Sequence, residues 1–201
     1  MPRPPRTIEP GAIYHVTARG NRRQLLFRDD DDRRLFLTLL DTVAAEGGWR
    51  CLGYCLMPNH IHAVLTTKTA FSRGMQYLCG TYAQRFNRRY AVDGHLFQGR
   101  YHARRVESDS HLLEVSRYLA LNPVRAGICA RPDDWRWGSH RALLGERPDL
   151  RALDVEEALA HFGRNPEIAR WTLRAFVDDP LAGSNGHAPG SDPGLNGTRL
   201  D

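Results

Sequence analysis

The alternation of apolar and polar residues divides the chain into short segments of two different periods. From Ala12 to Ala18 the run Ala-Ile-Tyr-His-Val-Thr-Ala has the β-branched, alternating character of a strand, ended at Gly20-Asn21. Leu35 to Ala45 carries apolar residues at helical spacing behind the acidic run Asp29 to Asp32. Carboxylates at that position favour the positive end of a helix dipole, so the run reads as a cap rather than a metal site. Gly47-Gly48 ends this helix. Trp49 to Leu56 then reads as a second strand, Pro58-Asn59 as a turn and His60 to Thr66 as a third strand. Phe71 to Tyr90 returns to helical spacing, with Met75, Leu78, Tyr82 and Phe86 three or four apart. Gly94 and Gly99 bracket a loop, and Arg100 to Val106 is a fourth strand. Asp109 or Ser110 caps a helix running to about Leu121, which Pro123 stops.

The order β-α-β-β-α-β-α predicts an α+β fold: a ferredoxin-like (RRM-like) sandwich with an antiparallel sheet, helices on one face and an additional helix. Asp154 to Phe162 and Pro166 to Val177 read as two short terminal helices. The expected organisation is a flexible basic arm at 1–10, a folded domain at 11–145, a C-terminal helical extension at 146–180 and a disordered tail at 181–201. No apolar run is long enough to cross a bilayer, and no apolar leader follows the Arg- and Pro-rich start, so the expectation is a cytoplasmic protein without a membrane partner. The four cysteines form no Cys-x-x-Cys pair. Cys51 and Cys55, four apart in a strand, should point to one face as small buried hydrophobes.

Charge changes the picture modestly. Residues 151–201 hold 5 basic and 8 acidic side chains, leaving 23 and 15 in residues 1–150. The cationic surplus thus sits in the main body, where a phosphate backbone can meet it. Lys68 is the only lysine, so the surplus is almost wholly arginine.

Candidate chemistry starts at Pro58-Asn59-His60-Ile61-His62-Ala63-Val64-Leu65. Residues two apart in a strand face the same way, so His60 and His62 share a face on which two imidazoles can chelate one divalent cation. The chemistry then needs further ligands and a nucleophile. On the helix before Pro123, Leu112, Leu113, Ser116, Leu119 and Ala120 cluster on the packing side, while Tyr118 and Asn122, four apart, lie above one another on its flank. A phenol and a carboxamide then reach one point, and an amide oxygen suits a hard cation such as Mg²⁺ or Mn²⁺. If Asn122 leaves helical geometry before the proline, His102 or Glu114 takes its place.

With these residues the chain resembles the single-tyrosine HUH transposases, the IS200-like family. The resemblance rests on His60-Ile61-His62, on Tyr118-x-x-x-Asn122-Pro123 and on Tyr14-His15-Val16-Thr17-Ala18-Arg19-Gly20-Asn21. Gly99-Arg100-Tyr101, Asn122-Pro123-Val124-Arg125-Ala126-Gly127 and Trp135-Arg136-Trp137-Gly138-Ser139 continue it, over about residues 10 to 145. Among its branches it is most similar to the REP-associated tyrosine transposases. The resemblance implies Mg²⁺ or Mn²⁺ held by His60, His62 and Asn122, with Tyr118 as nucleophile forming a 5′-phosphotyrosine. It implies single-stranded or hairpin DNA as partner, no nucleotide cofactor, and a monomer in preference to a homodimer.

Arg19, Arg22 and Arg23, Arg85, Arg88 and Arg89, and Arg100, Arg104 and Arg105 are candidates to track phosphates, and Tyr14, Phe97 and Tyr101 to stack on bases. Two rival readings remain at this point. A non-catalytic, single-stranded nucleic-acid-binding module of RRM-like fold would lack a use for the His-Tyr-Asn set, and no Gly-Phe-x-Phe-type motif supports it. A hydrolase using water would recruit carboxylates, which are absent beside His60 and His62.

Overall fold

The computed structural model describes residues 9–68 and 71–179. The expected disorder of 181–201 and most of the expected flexible arm fall outside those residues. The four strands are β1 (Ile13–Arg19), β2 (Trp49–Met57), β3 (His60–Thr67) and β4 (His102–Arg105), joined by helices α1 (Asp30–Gly47) and α2 (Ser72–Tyr90). They form one sheet in the order β2-β3-β1-β4, and every neighbouring pair is antiparallel. With α1 after β1 and α2 after β3, this is the ferredoxin-like α+β arrangement the periodicity predicts.

The local signals act as expected in α1. Asp29 is its N-cap and accepts a hydrogen bond from the Asp32 amide at 3.0 Å, which is generally worth about 1 kcal/mol. Asp32 itself is buried, and it accepts from the Arg28 amide and the Tyr90 hydroxyl and pairs with Arg89. The acidic run is therefore a cap and a clamp onto the end of α2. Gly48 ends α1 at φ 62°, a left-handed conformation that glycine enters without a Cβ penalty.

Helices on one face describes α1 and α2 but not the rest. Phe36 and Leu40 of α1 and Met75, Leu78 and Tyr82 of α2 pack on one face of the sheet against Val16, Ile61, Ala63 and Leu65. The other face, carrying Leu52, Cys55, Met57 and Val64, is covered by α3 (Asp109–Arg125) and by the helices that follow. Those are α4 (His140–Leu143), α5 (Val155–Ala160) and α6 (Pro166–Asp178). A sheet sandwiched on both sides explains why β2 and β3 read as nearly continuous apolar runs. Leu159, Leu173 and Val177 of α5 and α6 join Leu112, Val115 and Leu119 of α3 in one apolar cluster.

A β-bulge between Cys51 and Gly53 adds a residue to β2. It reverses the alternation, so Cys51 points into the core under α1 and α2 while Cys55, opposite His62, points to the other face. They do not share a face. In addition, Pro123 does not stop α3, which continues to Arg125 with the Ala126 amide bonded to the Asn122 carbonyl at 3.0 Å. Proline's fixed φ is compatible with a helix, and near the C-terminus it costs one backbone bond rather than a break in the element. The packing side of α3 also differs slightly: Val115 is fully buried, whereas Leu113 and Ser116 are half-buried.

Candidate active site

Strand pairing decides which residues meet. On β3, His60, His62 and Val64 face α3; on β1 the residues opposite them are Arg19, Thr17 and His15, and beyond these on β4 lie His102 and Arg104. The bulge brings Cys55 into the same row opposite His62. Above this row, α3 lowers Tyr118 and Asn122 onto the histidines. The His62 ring lies 4.8 Å from that of His60 and 5.3 Å from that of Tyr118, both edge-to-face. The Asn122 amide nitrogen is 3.1 Å from His62 Nε2. Because α3 stays helical through Pro123, Asn122 keeps its place one turn beyond Tyr118 and neither His102 nor Glu114 is needed as a substitute.

His15 completes the cluster and was missed in the sequence. Its Nε2 is 3.0 Å from His62 Nδ1, and its ring stands 6.2 Å from that of Tyr118. The period-2 pattern of β1 carried the signal: His15 has the parity of Thr17 and Arg19, which flank the histidine row.

The electrostatics favour neutral imidazoles. Burial, with the repulsion of His111 and Arg104, lowers the His15 pKa to about 4. Burial and the Arg19 charge lower that of His60 to about 4. His62 is pushed well below its ordinary value by burial and by its neighbours His60, His15 and Arg19. At neutral pH their ring nitrogens therefore carry lone pairs for a ligand instead of charge. Burial raises the Tyr118 pKa, opposed by a hydrogen bond with Asn122 and by the charges of Arg125 and Arg19.

These residues fit a divalent cation. Two neutral imidazoles and an amide lie side by side, and the Asn122 amide nitrogen, 3.1 Å from His62 Nε2, holds the amide where turning it over would set its oxygen beside the imidazole as a ligand for a hard cation. Among the described residues no group of three His, Cys, Asp or Glu side chains is arranged to hold a metal.

The candidate phosphate-tracking arginines divide. Arg19 and Arg104 lie on the histidine face, Arg19 half-buried beside His60 and Arg104 exposed beside His15. Arg22 and Arg23 are exposed in the turn after β1, both at left-handed φ (49° and 62°). Arg100 is exposed ahead of β4, while Arg105 points to the opposite face and pairs with Glu9 at 2.6 Å. Arg85 and Arg88 are exposed on α2, across the sheet from the histidines, and Arg89 is bound to Asp29 and Asp32. Tyr14 and Tyr101 are buried in the core and cannot stack on a base; Phe97 is half-buried against Tyr82. Arg125, whose charge bears on Tyr118, was not singled out in the sequence.

A ferredoxin-like sheet that offers paired histidines to a helix bearing tyrosine and asparagine defines the class of the tyrosine transposases. A family model described as "Transposase IS200 like" matches residues 10–122, more than half of the chain, and the chain belongs to that family. Among solved structures, a REP-associated tyrosine transposase bound to a REP hairpin superposes at TM-score 0.61, with 18% identity, over 77% of this chain and 93% of that one. A candidate transposase from Deinococcus radiodurans superposes more loosely, at TM-score 0.39 and 20% identity over 58% of this chain and 94% of that one. No curated protein matches the chain.

Proposed function

We propose that this chain is a metal-dependent single-stranded DNA transposase that cleaves and rejoins DNA at hairpin, REP-like sequences through a 5′-phosphotyrosine on Tyr118. The observation that carries the reading is the meeting of one turn of α3 with the histidine row: the Tyr118 ring 5.3 Å from His62, and the Asn122 amide 3.1 Å from its Nε2. The hairpin bound to the similarly folded REP-associated transposase supports the choice of substrate.

A divalent cation, Mg²⁺ or Mn²⁺, held by His60, His62 and Asn122 would act as a Lewis acid on the scissile phosphate. Tyr118 is the nucleophile. As its Oη–P bond forms, the P–O3′ bond breaks; the phenol gives up its proton and the 3′ oxygen leaves as a hydroxyl. In the second step an incoming 3′-hydroxyl attacks the same phosphorus and releases Tyr118. A phosphodiester is exchanged for a phosphodiester, so no nucleotide cofactor is consumed and the transfer is divided into two easier steps. Arg19 and Arg104 flank the strand entering this face, with Arg22, Arg23 and Arg100 near its edges; Arg85, Arg88 and Arg105 are left to more distant phosphates. Residues 11–145 form the catalytic domain, 146–180 an extension that secures α3, and a single cytoplasmic chain serves its own site.

The test is a denaturing gel with labelled single-stranded hairpin DNA and Mn²⁺ or Mg²⁺. Wild type is expected to form a metal-dependent adduct stable to denaturant, and Tyr118→Phe to form none. Binding without an adduct would instead favour a non-catalytic RRM-like module, and cleavage persisting in the variant would favour a hydrolase.

A further inference from the structure

The two candidate ligand histidines are each held at the nitrogen that faces away from the cation position. His60 Nδ1 lies 2.7 Å from Asn59 Oδ1. The orientation of that amide follows from its other end, where Asn59 Nδ2 donates to the Arg23 carbonyl. A carbonyl oxygen only accepts, so His60 Nδ1 carries the proton and Nε2 the lone pair. His62 is held in the same sense from another strand. The Asn122 amide nitrogen at its Nε2 can only donate, so Nε2 accepts. Its Nδ1 then bears the proton and donates to His15 Nε2 at 3.0 Å. His15 is nearly fully buried, and its ring lies nearly coplanar with that of His62, at a centroid separation of 5.2 Å and an interplanar angle of 25°, as an in-plane N–H···N bond requires.

We infer that Asn59 and His15 are positioning residues, each accepting the Nδ1 proton of one histidine so that the Nε2 lone pairs of His60 and His62 converge on one divalent cation. The inference rests on the transposase reading only in taking His60 and His62 as the ligands. A ligand imidazole commonly donates its second nitrogen to a carboxylate or a backbone carbonyl, which fixes its tautomer and orientation. Here a second buried imidazole and a turn amide do that work, without adding negative charge where phosphate must enter. A buried histidine as acceptor has a chemical consequence as well: His15 Nδ1 must keep its own proton, so the locked network contains no net charge.

The test uses the full-length, metal-free protein and two readouts that require no DNA. Two-bond ¹H–¹⁵N NMR correlations report the imidazole tautomers, and Mn²⁺ titration followed by electron paramagnetic resonance reports the Kd. Wild type is expected to show both histidines as Nδ1–H. His15→Leu should shift His62 alone toward the Nε2–H form, and Asn59→Ala should shift His60 alone. Each should weaken Mn²⁺ binding by about 10- to 100-fold. His15→Gln, whose amide oxygen still accepts, should restore most of the affinity. A merely structural role would not produce this residue-by-residue pairing. An Nε2–H tautomer at either histidine of the wild type would overturn the inference without any variant. So would folded variants whose tautomers and Mn²⁺ Kd match those of the wild type. A wild type that passes these measurements but gives no DNA adduct would count against the transposase reading and leave the tautomer assignment intact.

Discussion

At the scale of single residues, the histidine row makes a distinct statement about pH. His15 and His60 have pKa values near 4 in the folded chain against an ordinary 6.5. As pH falls below about 6.5 the unfolded chain binds protons that the folded chain refuses, so the balance moves toward unfolding. The stability contributed by their neutrality is full above 6.5 and is lost progressively as pH falls toward 4. The melting temperature of the metal-free protein should therefore decline between pH 7 and 4.5, and replacing His15 by Leu should flatten part of that decline. A pH-independent melting temperature across this window would contradict the burial argument. Tyr118 moves the opposite way: burial favours its protonated phenol, so in the proposed reaction its proton would leave during attack rather than before it.

At the scale of elements, the position of α3 over the sheet decides the geometry of the site, and one backbone irregularity sets that position. The bulge at Cys51 to Gly53 lets Leu52 and Gly53 both face α3, and a Cβ on Gly53 would lie 3.4 Å from Leu119 and from the Ser139 hydroxyl. Gly53→Val should press on Leu119, one residue beyond Tyr118, and cost about 1–3 kcal/mol as overpacking does. Chemical denaturation would measure the loss, and adduct formation should fall with it; unchanged stability would show that α3 gives way freely. The elements themselves were legible in the sequence because their signals are local. Asp29 capping α1, the Pro58-Asn59 turn and the His60/His62 parity all act within a few residues. The bulge was not legible, since an extra residue in β2 is defined only by what stands opposite it on β3. Pro123 misled for a related reason: its steric cost is local, but whether the helix continues depends on tertiary burial, and Asn122 and Pro123 are both buried. Tyr118 and Asn122 could be placed on one flank of a helix from spacing alone, whereas His15 joins them only through the pairing of β1 with β3.

At the scale of the molecule, charge is sorted by the sheet. Arg104 and Arg19 lie on the histidine face, and Arg85 and Arg88 on α2 lie behind the opposite one. If DNA enters the histidine face, Arg104→Ala should weaken hairpin binding and reduce the slope of log K against log salt by about one, while Arg85→Ala should leave the slope unchanged. Fluorescence anisotropy over a salt series would measure both, and equal effects would place DNA on both faces. Beyond charge, the helix that carries Tyr118 is anchored within its own chain. Arg117, the neighbouring residue, is buried and donates to the Asp179 carbonyl at the end of α6, while Leu173 and Val177 of α6 pack into the cluster that holds α3. In the proposed single-chain enzyme, with Tyr118 as nucleophile, nucleophile and histidines are inherited together, on one polypeptide. For that enzyme, a cell producing the chain alongside a copy that lacks the tyrosine would lose activity only in proportion to the defective copies, so the lesion would behave as recessive; loss out of proportion would show that copies share their sites.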